Sequence, residues 1–485
     1  MTGRARHPGR ELGDAHPAWL AGRPLRRDSL LEVLDKFTGE PAGSVVRAAR
    51  EDVAAAIDAA HDAATAMRRL PAWRRRDCLL HVVQRLIERS EDCARVLAIE
   101  VGKPLRDARN EVARAIDTFR LAAEEATRIV GEELPLDVSP RGEGLTGIVR
   151  RVPVGPCALI TPFNFPLNLV AHKVGPALAA GCPFVLKPAS STPRSALIVA
   201  ELLAETELPP GSFSVLPCTS EAAAPLVDDE RMRLLSFTGS AAVGWDLRAR
   251  AARKRHVTLE LGGNAACIVD DGVDVAHAAA RIVSGAFQQA GQSCISVQRI
   301  LVHRRVSDAL REALIARANA LRCGDPLDEA TELGPLVSVQ DARRIEAVVA
   351  AALARGARLL CGGVRDGACF APTLLEGVPD DADAACEEVF GPLATFEVFD
   401  EFDAALRRAN ASRYGLQAGV FTNDLAHAMR AFDELEVGGV IVGDIPSLRV
   451  DAMPYGGAKD SGVGREGVRY AIAEMTEPRL LVLRR

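Results

Sequence analysis

The sequence is poor in several features that mark a protein's class at first sight. Aromatic residues make up only 4% of its 485 residues, and only six residues are lysines. No hydrophobic run approaches the roughly 20 residues that span a bilayer. The 59 basic residues are scattered rather than gathered into a stripe that would follow a phosphate backbone. These absences argue against a membrane protein and against nucleic-acid binding.

Cysteine is present but is not arranged for disulfides or metals. The 11 cysteines are odd in number, with no CxxC pair and no spacing with histidine that could hold zinc. The basic first residues include proline, glycine and acidic residues where a secretory signal would need a continuous apolar stretch. We therefore expect free thiols, no metal and a cytoplasmic location.

The order of apolar patterns along the chain predicts an α/β fold. After an irregular start of about 50 residues, positions 51–129 carry apolar residues at helical spacing and predict three helices. From 156 to 261, and again beyond 262, short apolar runs alternate with helical stretches, which predicts two mostly parallel, doubly wound sheets. Two strand-like runs between 132 and 152 predict a projecting β-hairpin.

Three segments carry residues suited to covalent catalysis. Cys294, in AGQSCISVQR, follows a predicted helix and a glycine that lets the backbone turn and expose the thiol, so it is the best candidate nucleophile. Glu260 closes an apolar strand before two glycines and could act as a general base. Asn164 lies in a Pro-bracketed turn, where its amide could donate to an oxyanion. A strand-end glutamate and a turn-forming asparagine are the ordinary alternatives for the last two.

Two further segments point to a nucleotide site. Lys187 stands at the carboxyl end of a strand in PFVLKPASS, and Gly239 and Ser240 lie between a strand and a helix in SFTGSAAVG. Backbone N–H groups at such a turn can bind a pyrophosphate. Neither segment has a G-x-G-x-x-G spacing or a Walker motif, so spacing alone favours a glycine turn and an exposed lysine.

Together these segments resemble a known family. The motifs TPFNFP, LKPA, FTGS with Gly244, LELGGN, GQSC, EEVFGP and PYGGAKDSGVGREG occur in the order seen in the aldehyde dehydrogenase superfamily. The resemblance implies a Rossmann-like cofactor domain at 1–131 and 153–261, a catalytic domain at 262–452, and an oligomerisation arm at 132–152 and 470–485. It also implies a homodimer or homotetramer, in which an edge strand of one subunit extends a neighbour's sheet.

The resemblance assigns roles to the candidate catalytic residues. Cys294 would attack an aldehyde, and Asn164 and the Cys294 backbone N–H would hold the oxyanion. After hydride leaves for NAD or NADP, Glu260 would activate the water that hydrolyses the thioester to a carboxylic acid. An acylating subclass hands the acyl group to coenzyme A instead, but it usually lacks the LELGG glutamate that is present here. A binding protein on an inactive scaffold is disfavoured because Cys294, Asn164 and Glu260 are all present.

For the cofactor, the resemblance places Lys187 at the adenine ribose, Ser240 at the pyrophosphate and Glu388 at the nicotinamide ribose. The whole implied set is Thr161, Pro162, Phe163, Lys187, Ser190, Phe237, Gly239, Ser240, Gly244, Leu261, Glu388 and Phe390. Strict NAD users of the family often have glutamate three residues after the lysine, where this chain has Ser190. Because serine does not repel a 2′-phosphate, we expect NADP to be tolerated.

The implied substrate side is polar. Two positions that often carry aromatic residues in relatives specialised for apolar aldehydes are polar here, namely His172 and Arg449. The resemblance places Asn168 and Ser293 in the same expected substrate-binding set. An arginine fork matches an anionic group, so we expect a small polar or anionic aldehyde of the lactaldehyde, succinic semialdehyde or phosphonoacetaldehyde type. The alternatives are that Arg449 forms a structural ion pair with Asp451 or another carboxylate, and that the enzyme is a generalist for aliphatic aldehydes.

Overall fold

The computed structural model describes residues 9–251, 254 and 256–484. Its N-terminal part corrects the expectation of an irregular start, since it contains five strands: β1 (Gly13–His16), β2 (Ala18–Leu20), β3 (Arg23–Leu25), β4 (Leu30–Leu34) and β5 (Pro41–Val46). β5 pairs with β1 and β4 in a small sheet, whereas β2 and β3 join a larger one. Strands this short hold too few alternating residues to show a period in the sequence.

Four helices follow, rather than the three that were expected: α1 (Arg50–Arg69), α2 (Ala72–Glu88), α3 (Ser90–Val101) and α4 (Leu105–Ala126). The chain leaves helical geometry at Arg89, where φ is −107° and ψ is 20°. Glu91 and Asp92 then lie in the first turn of α3, where carboxylates favour the positive end of the helix dipole. A single non-helical residue hardly disturbs the apolar spacing, so the pattern across this break looks continuous.

Beyond α4 the chain alternates strands and helices. Its first alternating region, up to residue 260, contains β6 (Glu132–Pro135), β7 (Leu145–Pro153), β8 (Cys157–Ile160), α5 (Asn168–Ala180), β9 (Phe184–Lys187), α6 (Arg194–Ala204), β10 (Phe213–Val215), α7 (Ala224–Asp228), β11 (Leu234–Thr238), α8 (Ala241–Arg250) and β12 (His256–Glu260).

A second alternating region contains β13 (Ala265–Val269), α9 (Val275–Phe287), a 3₁₀ turn (Gln288–Gly291), β14 (Val297–His303), α10 (Arg304–Ala320), α11 (Val339–Ala354), β15 (Arg358–Cys361), β16 (Arg365–Asp366), β17 (Cys369–Phe370), β18 (Thr373–Glu376), α12 (Asp383–Cys386), β19 (Leu393–Phe399), α13 (Phe402–Asn410), β20 (Tyr414–Gly415), β21 (Gln417–Phe421), α14 (Leu425–Glu434) and β22 (Gly439–Val442). The chain ends with β23 (Ala458–Lys459), β24 (Gly462–Val463), α15 (Val468–Glu474) and β25 (Thr476–Arg484).

The first large sheet has eight strands in the order β24-β12-β11-β8-β9-β10-β2-β3. Its central strands are parallel, and the chain starts in the middle at β8, goes to one side through β9 and β10, and returns to the other side at β11 and β12. Such a reversal opens a crevice at the carboxyl ends of the strands, where doubly wound sheets bind ligands.

The second large sheet has seven strands in the order β15-β18-β19-β14-β13-β21-β22, and all of its pairings except β15 with β18 are parallel. Its chain also starts in the middle, at β13. The prediction of an α/β fold with two doubly wound sheets is therefore confirmed.

A separate three-stranded sheet has the order β25-β7-β6. Four consecutive apolar residues of β25, at 480–483, are each about half exposed. Among the described residues, no helix is long and apolar enough to cross a membrane, and no group of three or more His, Cys, Asp or Glu side chains is placed to hold a metal ion. Residues 1–8, 252, 253, 255 and 485, which belong to the expected domain ranges, lie outside the described residues.

Candidate active site

A cavity of about 620 Å³ lies where the carboxyl ends of the first sheet face the second α/β unit. All three candidate catalytic residues line it, together with much of the expected cofactor and substrate set. These wall residues include Pro162, Phe163, Asn164, Asn168, Gly239, Ser240, Glu260, Leu261, Ser293, Cys294, Glu388, Phe390 and Arg449.

Cys294 is carried by a strained loop between α9 and β14. The 3₁₀ turn before it has three successive residues in left-handed backbone geometry: Gln289, Ala290 and Gly291, with φ of 57°, 53° and 66°. Two of these are not glycine, and such strain persists only where the surrounding structure enforces it, often at functional sites. The loop passes so close to Gly263 that a Cβ there would lie 2.3 Å from the Cys294 carbonyl oxygen.

The Cys294 thiol is partly buried, and burial raises its pKa to about 12. Its sulfur lies 2.8 Å from the hydroxyl oxygen of Tyr455. Among the charged groups around it, Glu388 and Glu260 raise the pKa further, whereas Arg449 lowers it. The thiol therefore needs hydrogen bonds and nearby positive charge to become a thiolate.

Glu260 is the last residue of β12, and its side chain is only 2% exposed. Neither of its carboxyl oxygens has a hydrogen-bond partner in the described part of the chain. Burial, and then the charge of Glu466, raise the pKa of Glu260 well above its usual value, while Lys173 opposes the shift. A buried carboxyl with an elevated pKa and free oxygens is suited to take a proton from water near neutral pH.

Asn164 lies in the turn between β8 and α5, on the cavity wall. Its Nδ2 donates to the backbone oxygen of Gln292 over 3.0 Å, which ties the turn to the loop that carries Cys294. An amide nitrogen has two hydrogens, so one remains for an oxyanion. Lys103 donates to the Asn164 backbone oxygen over 3.1 Å and pairs with Glu111, whose other oxygen accepts the backbone N–H of Leu167.

Most of the expected cofactor residues lie at or just after the adjacent carboxyl ends of β8, β9, β11 and β12, whereas Gly244 lies in α8 and Glu388 and Phe390 lie between α12 and β19. Ile160 and Lys187 are register partners, as are Thr238 and Glu260. The fit to a dinucleotide is good, because the buried hydroxyl of Thr161 has no partner among the described groups, and the turn at Gly239 leads into α8, where backbone N–H groups are free for phosphate.

Not every expected cofactor residue reaches the cavity itself. Thr161, Lys187, Ser190, Phe237 and Gly244 are not on its wall. The Ser190 hydroxyl donates to the Cys218 backbone oxygen over 3.3 Å. Gly244 and Phe237 serve packing, since a Cβ at Gly244 would meet Leu261 at 2.3 Å, and one at Gly239 would meet the Phe237 ring at 2.5 Å.

On the catalytic side of the cavity, Glu388 accepts the backbone N–H of Gly263 over 3.0 Å, and burial raises its pKa to about 7. Phe390 has a positive φ of 51°. Its ring packs edge-on against Phe163, with the ring centres 5.8 Å apart. These residues form one wall beside Cys294 and leave the Glu388 carboxyl facing the cavity.

Comparison with known proteins identifies the family. The model of the "Aldehyde dehydrogenase family" matches residues 24–481. The chain belongs to the aldehyde dehydrogenase family.

Two relatives show how far the similarity of this aldehyde dehydrogenase extends. A 3-sulfolactaldehyde dehydrogenase from Priestia aryabhattai is 45% identical over 454 residues, covering 93% of this chain and 94% of that protein. Aldehyde dehydrogenase 21 from Physcomitrella patens, solved in complex with the reaction product succinate, is 49% identical with a TM-score of 0.96, over 97% of this chain and 98% of that one.

A third relative bears on the cofactor. A glyceraldehyde-3-phosphate dehydrogenase from Methanocaldococcus jannaschii, complexed with NADP, is 37% identical with a TM-score of 0.90, over 95% of this chain and 100% of that one. Like its family, this aldehyde dehydrogenase is an oxidoreductase that uses NAD or NADP.

The substrate side differs in part from what the sequence suggests. His172 does not line the cavity; its side chain is fully buried, and its Nε2 lies 2.8 Å from Asp451 Oδ1. Burial, helped by Arg449, lowers the pKa of His172. Arg449 does line the cavity, but it is also ion-paired with carboxylates, as the structural alternative expected. Its Nη2 donates to Glu466 over 3.1 Å, and Asp451 Oδ1 lies 3.8 Å from its Nε.

Sequence reasoning missed four residues of this aldehyde dehydrogenase site. Tyr455, Glu466 and Arg114 line the cavity, and Lys173 lies behind it, donating to Ser236 and to Glu466 over 2.7 and 3.1 Å. Signals for three of them existed, since Tyr455 and Glu466 lie in PYGGAKDSGVGREG and Lys173 is one of only six lysines. Nothing in the sequence marks Arg114 among so many arginines.

Proposed function

We propose that this aldehyde dehydrogenase oxidises a small anionic aldehyde to a carboxylic acid through a thioester on Cys294. The thiolate sulfur forms a bond to the aldehyde carbon, and the carbonyl oxygen becomes an oxyanion that accepts hydrogen bonds from Asn164 Nδ2 and the Cys294 backbone N–H. A nicotinamide dinucleotide supplies the hydride acceptor. Glu260 then takes a proton from the water that attacks the thioester carbon, and the carbon–sulfur bond breaks to free the thiolate.

The observation that carries the substrate class is the balance of charge at the end of the cavity near Arg449. Three cations, Arg114, Arg449 and Lys173, are linked there to only two carboxylates, Asp451 and Glu466. Burial lowers the pKa of His172 and raises that of Glu260, and both shifts favour the neutral form of the group. Within this group the cations outnumber the carboxylates by one, and an anionic group on the substrate would balance the excess positive charge.

Arg114 offers a site for that group. Its Nε and Nη2 bind Asp451 in a bidentate pair of 3.1 and 2.7 Å, while its Nη1 has no hydrogen bond to any described residue. Arg114 and Arg449 both line the cavity, on either side of Asp451. The names of the relatives support the same class, since 3-sulfolactaldehyde and the product succinate both carry an anionic group.

For the cofactor, we propose that Thr161, Lys187, Gly239 and Ser240 hold the adenosine and pyrophosphate portions, and that Glu388 binds the nicotinamide ribose. Burial lowers the pKa of Lys187, so this amine is a ready hydrogen-bond partner for hydroxyl groups. Ser190 stands where strict NAD users of the family often have glutamate, and a structural relative holds NADP. Acceptance of NADP follows from the missing repulsion.

The test is a set of initial rates with NAD and with NADP, without coenzyme A, over 3-sulfolactaldehyde, lactaldehyde, succinic semialdehyde and propanal. Cys294→Ser is the blank and is expected to show no turnover. We expect the anionic aldehydes to lead propanal at least tenfold in kcat/KM. A lead for propanal would make the enzyme a generalist, and turnover only after adding coenzyme A would place it in the acylating subclass.

We further propose that two or four copies assemble through the arm, defined as β6, β7 and β25. The apolar residues 480–483 of β25 are exposed and would be buried against another copy of the chain. The surface that would receive them is the open edge of the seven-stranded sheet at β22, next to the exposed Leu425 and Phe432 of α14. Light scattering at micromolar protein should give a dimer or tetramer. Leu481→Asp should reduce the mass to that of a monomer, and a monomeric parent would refute the arm's role.

A further inference from the structure

Tyr455 is held rigidly against the nucleophile. Its backbone pairs with that of Glu466, with the Tyr455 N–H donating over 3.0 Å. Its ring is 3% exposed and packs with Ile295 and Leu416 in a small apolar cluster that includes the Cys294 side chain. The hydroxyl oxygen is thereby fixed 2.8 Å from the sulfur.

Arg449 stacks on the same ring. Its guanidinium carbon lies 3.8 Å from the centre of the Tyr455 ring, and its Nη2 is tied to Glu466. The positive charge of Arg449 acts to lower the pKa of the Tyr455 hydroxyl, which makes its O–H a stronger hydrogen-bond donor. Burial nevertheless raises the pKa of Tyr455 well above its usual value, so the hydroxyl keeps its proton throughout the working pH range.

These facts decide which atom donates. A thiolate sulfur has no proton, so in the reactive state it can only accept, and the tyrosine hydroxyl must be the donor. A hydrogen bond to a charged acceptor is stronger than one to a neutral thiol, so the contact favours the thiolate. The other charged groups that face the sulfur are Glu388, Arg449 and Glu260.

We propose that Tyr455 is a catalytic residue whose hydroxyl donates a hydrogen bond to the Cys294 thiolate, and that Arg449, stacked on its ring, strengthens that donor. This inference rests on the proposed role of Cys294. It gives Arg449 two tasks, because the same guanidinium that faces the substrate also acts on the nucleophile through the ring.

The experiment measures alkylation of Cys294 by neutral iodoacetamide against pH, without substrate or cofactor, with peptide mass spectrometry as the readout. Tyr455→Phe should raise the midpoint pH for Cys294 and slow its alkylation at least about tenfold at pH 8. Tyr470→Phe, at an exposed tyrosine, is the matched control and should behave as the parent. Alkylation of the exposed Cys323 should be the same in all three proteins.

A second measurement covers the case in which Tyr455→Phe disturbs the fold, which alkylation of the buried Cys267 would reveal. In a protein that carries Tyr414→Phe and Tyr470→Phe, Tyr455 is the one tyrosine left, and it can be replaced biosynthetically by 3-fluorotyrosine. Its hydroxyl is then a stronger donor and should lower the midpoint pH of Cys294 alkylation. An unchanged midpoint there, or an unchanged or faster Cys294 reaction in folded Tyr455→Phe, overturns the proposal. Full aldehyde oxidation by Cys294→Ser would instead refute the proposed function itself.

Discussion

The two ends of the active-site cavity differ in how their charged groups are partnered. At the catalytic end, both oxygens of the Glu260 carboxyl and the Oδ1 of Asn164 are buried without a hydrogen-bond partner among the described residues. At the other end, which we call the cationic end, Arg449, Asp451 and Arg114 are joined by ion pairs, although Arg449 Nε itself has no hydrogen bond among the described residues.

Burying an unpaired polar atom costs about 1–3 kcal/mol, so such atoms persist where a reactant supplies the missing partner. Groups that are already paired instead hold one another in place. The catalytic end is therefore arranged for chemistry, and the cationic end for binding and positioning. Substitutions at the first should therefore lower kcat, and those at the second should raise KM or reduce stability.

The largest effect is expected at Glu260. Glu260→Gln should leave the first turnover intact but lower steady-state turnover by about 10²- to 10⁴-fold, because only thioester hydrolysis needs the base. Stopped-flow absorbance at 340 nm should show a burst of about one NADH per active site, and intact-mass spectrometry should show the acyl adduct.

The pH dependence follows from the same carboxyl. Burial and Glu466 raise the pKa of Glu260, so the base is protonated and idle at low pH and becomes active as pH rises. Steady-state turnover in the parent should therefore increase with pH beyond the usual carboxyl range, while the burst in Glu260→Gln should lack this dependence on the carboxyl. Loss of the burst itself would contradict the separation of the two steps.

Asn164→Ala should lower kcat by about 10²- to 10³-fold, with little change in KM, because its amide acts on the developing oxyanion. The control is Asn423→Ala, at an exposed asparagine that donates to the Gly272 backbone oxygen. A change confined to KM would place Asn164 with the cationic end instead.

Arg449→Lys should reduce kcat/KM for an anionic aldehyde about ten- to hundredfold, and for propanal much less. Lysine keeps a positive charge beside Glu466, which is also paired with Lys173 over 3.1 Å. The control is Arg281→Lys, at a second cavity arginine that is paired with Asp444 over 2.7 and 3.1 Å. Equal losses for both aldehydes would show that Arg449 acts on the nucleophile and not on the substrate.

Asp451→Asn should have the smallest effect on turnover and a clear effect on stability. Despite burial, His172 and Arg114 lower the pKa of Asp451 far below its usual value, so its stabilising contribution is present above the carboxyl pKa of the unfolded chain, about 4, and is lost as pH falls. Urea unfolding at pH 7 should show a loss of about 3 kcal/mol. The difference from the parent should shrink below about pH 4, and a constant difference would contradict the linkage.

Sequence patterns predicted the α/β class and its two doubly wound sheets, because strand–helix alternation depends on local hydrophobic periods. They predicted too few helices before residue 130, since one residue, Arg89, interrupts the helix without changing the spacing. They also predicted no strands before residue 50, where each strand has only three to six residues.

The substrate side shows where patterns stop being informative. All 13 residues of α5 are buried, so no helical period reveals which of them faces a cavity. His172 and Asn168 are one turn apart on this helix, yet only Asn168 reaches the cavity wall. Both side chains contact Asp451, which lies far away along the chain, so the difference depends on tertiary packing that no local pattern records.

Short motifs and periodic runs are local properties, and they were enough to indicate the fold class, the family, and Cys294, Glu260 and Asn164 as catalytic candidates. Three contacts became visible only in three dimensions: Tyr455 with the nucleophile, Glu466 with both Lys173 and Arg449, and Asp451 with both Arg114 and Arg449. Arg114 and Asp451 stand 337 positions apart. Charge balance and pKa arise from groups brought together in space, so no reading along the chain reveals them.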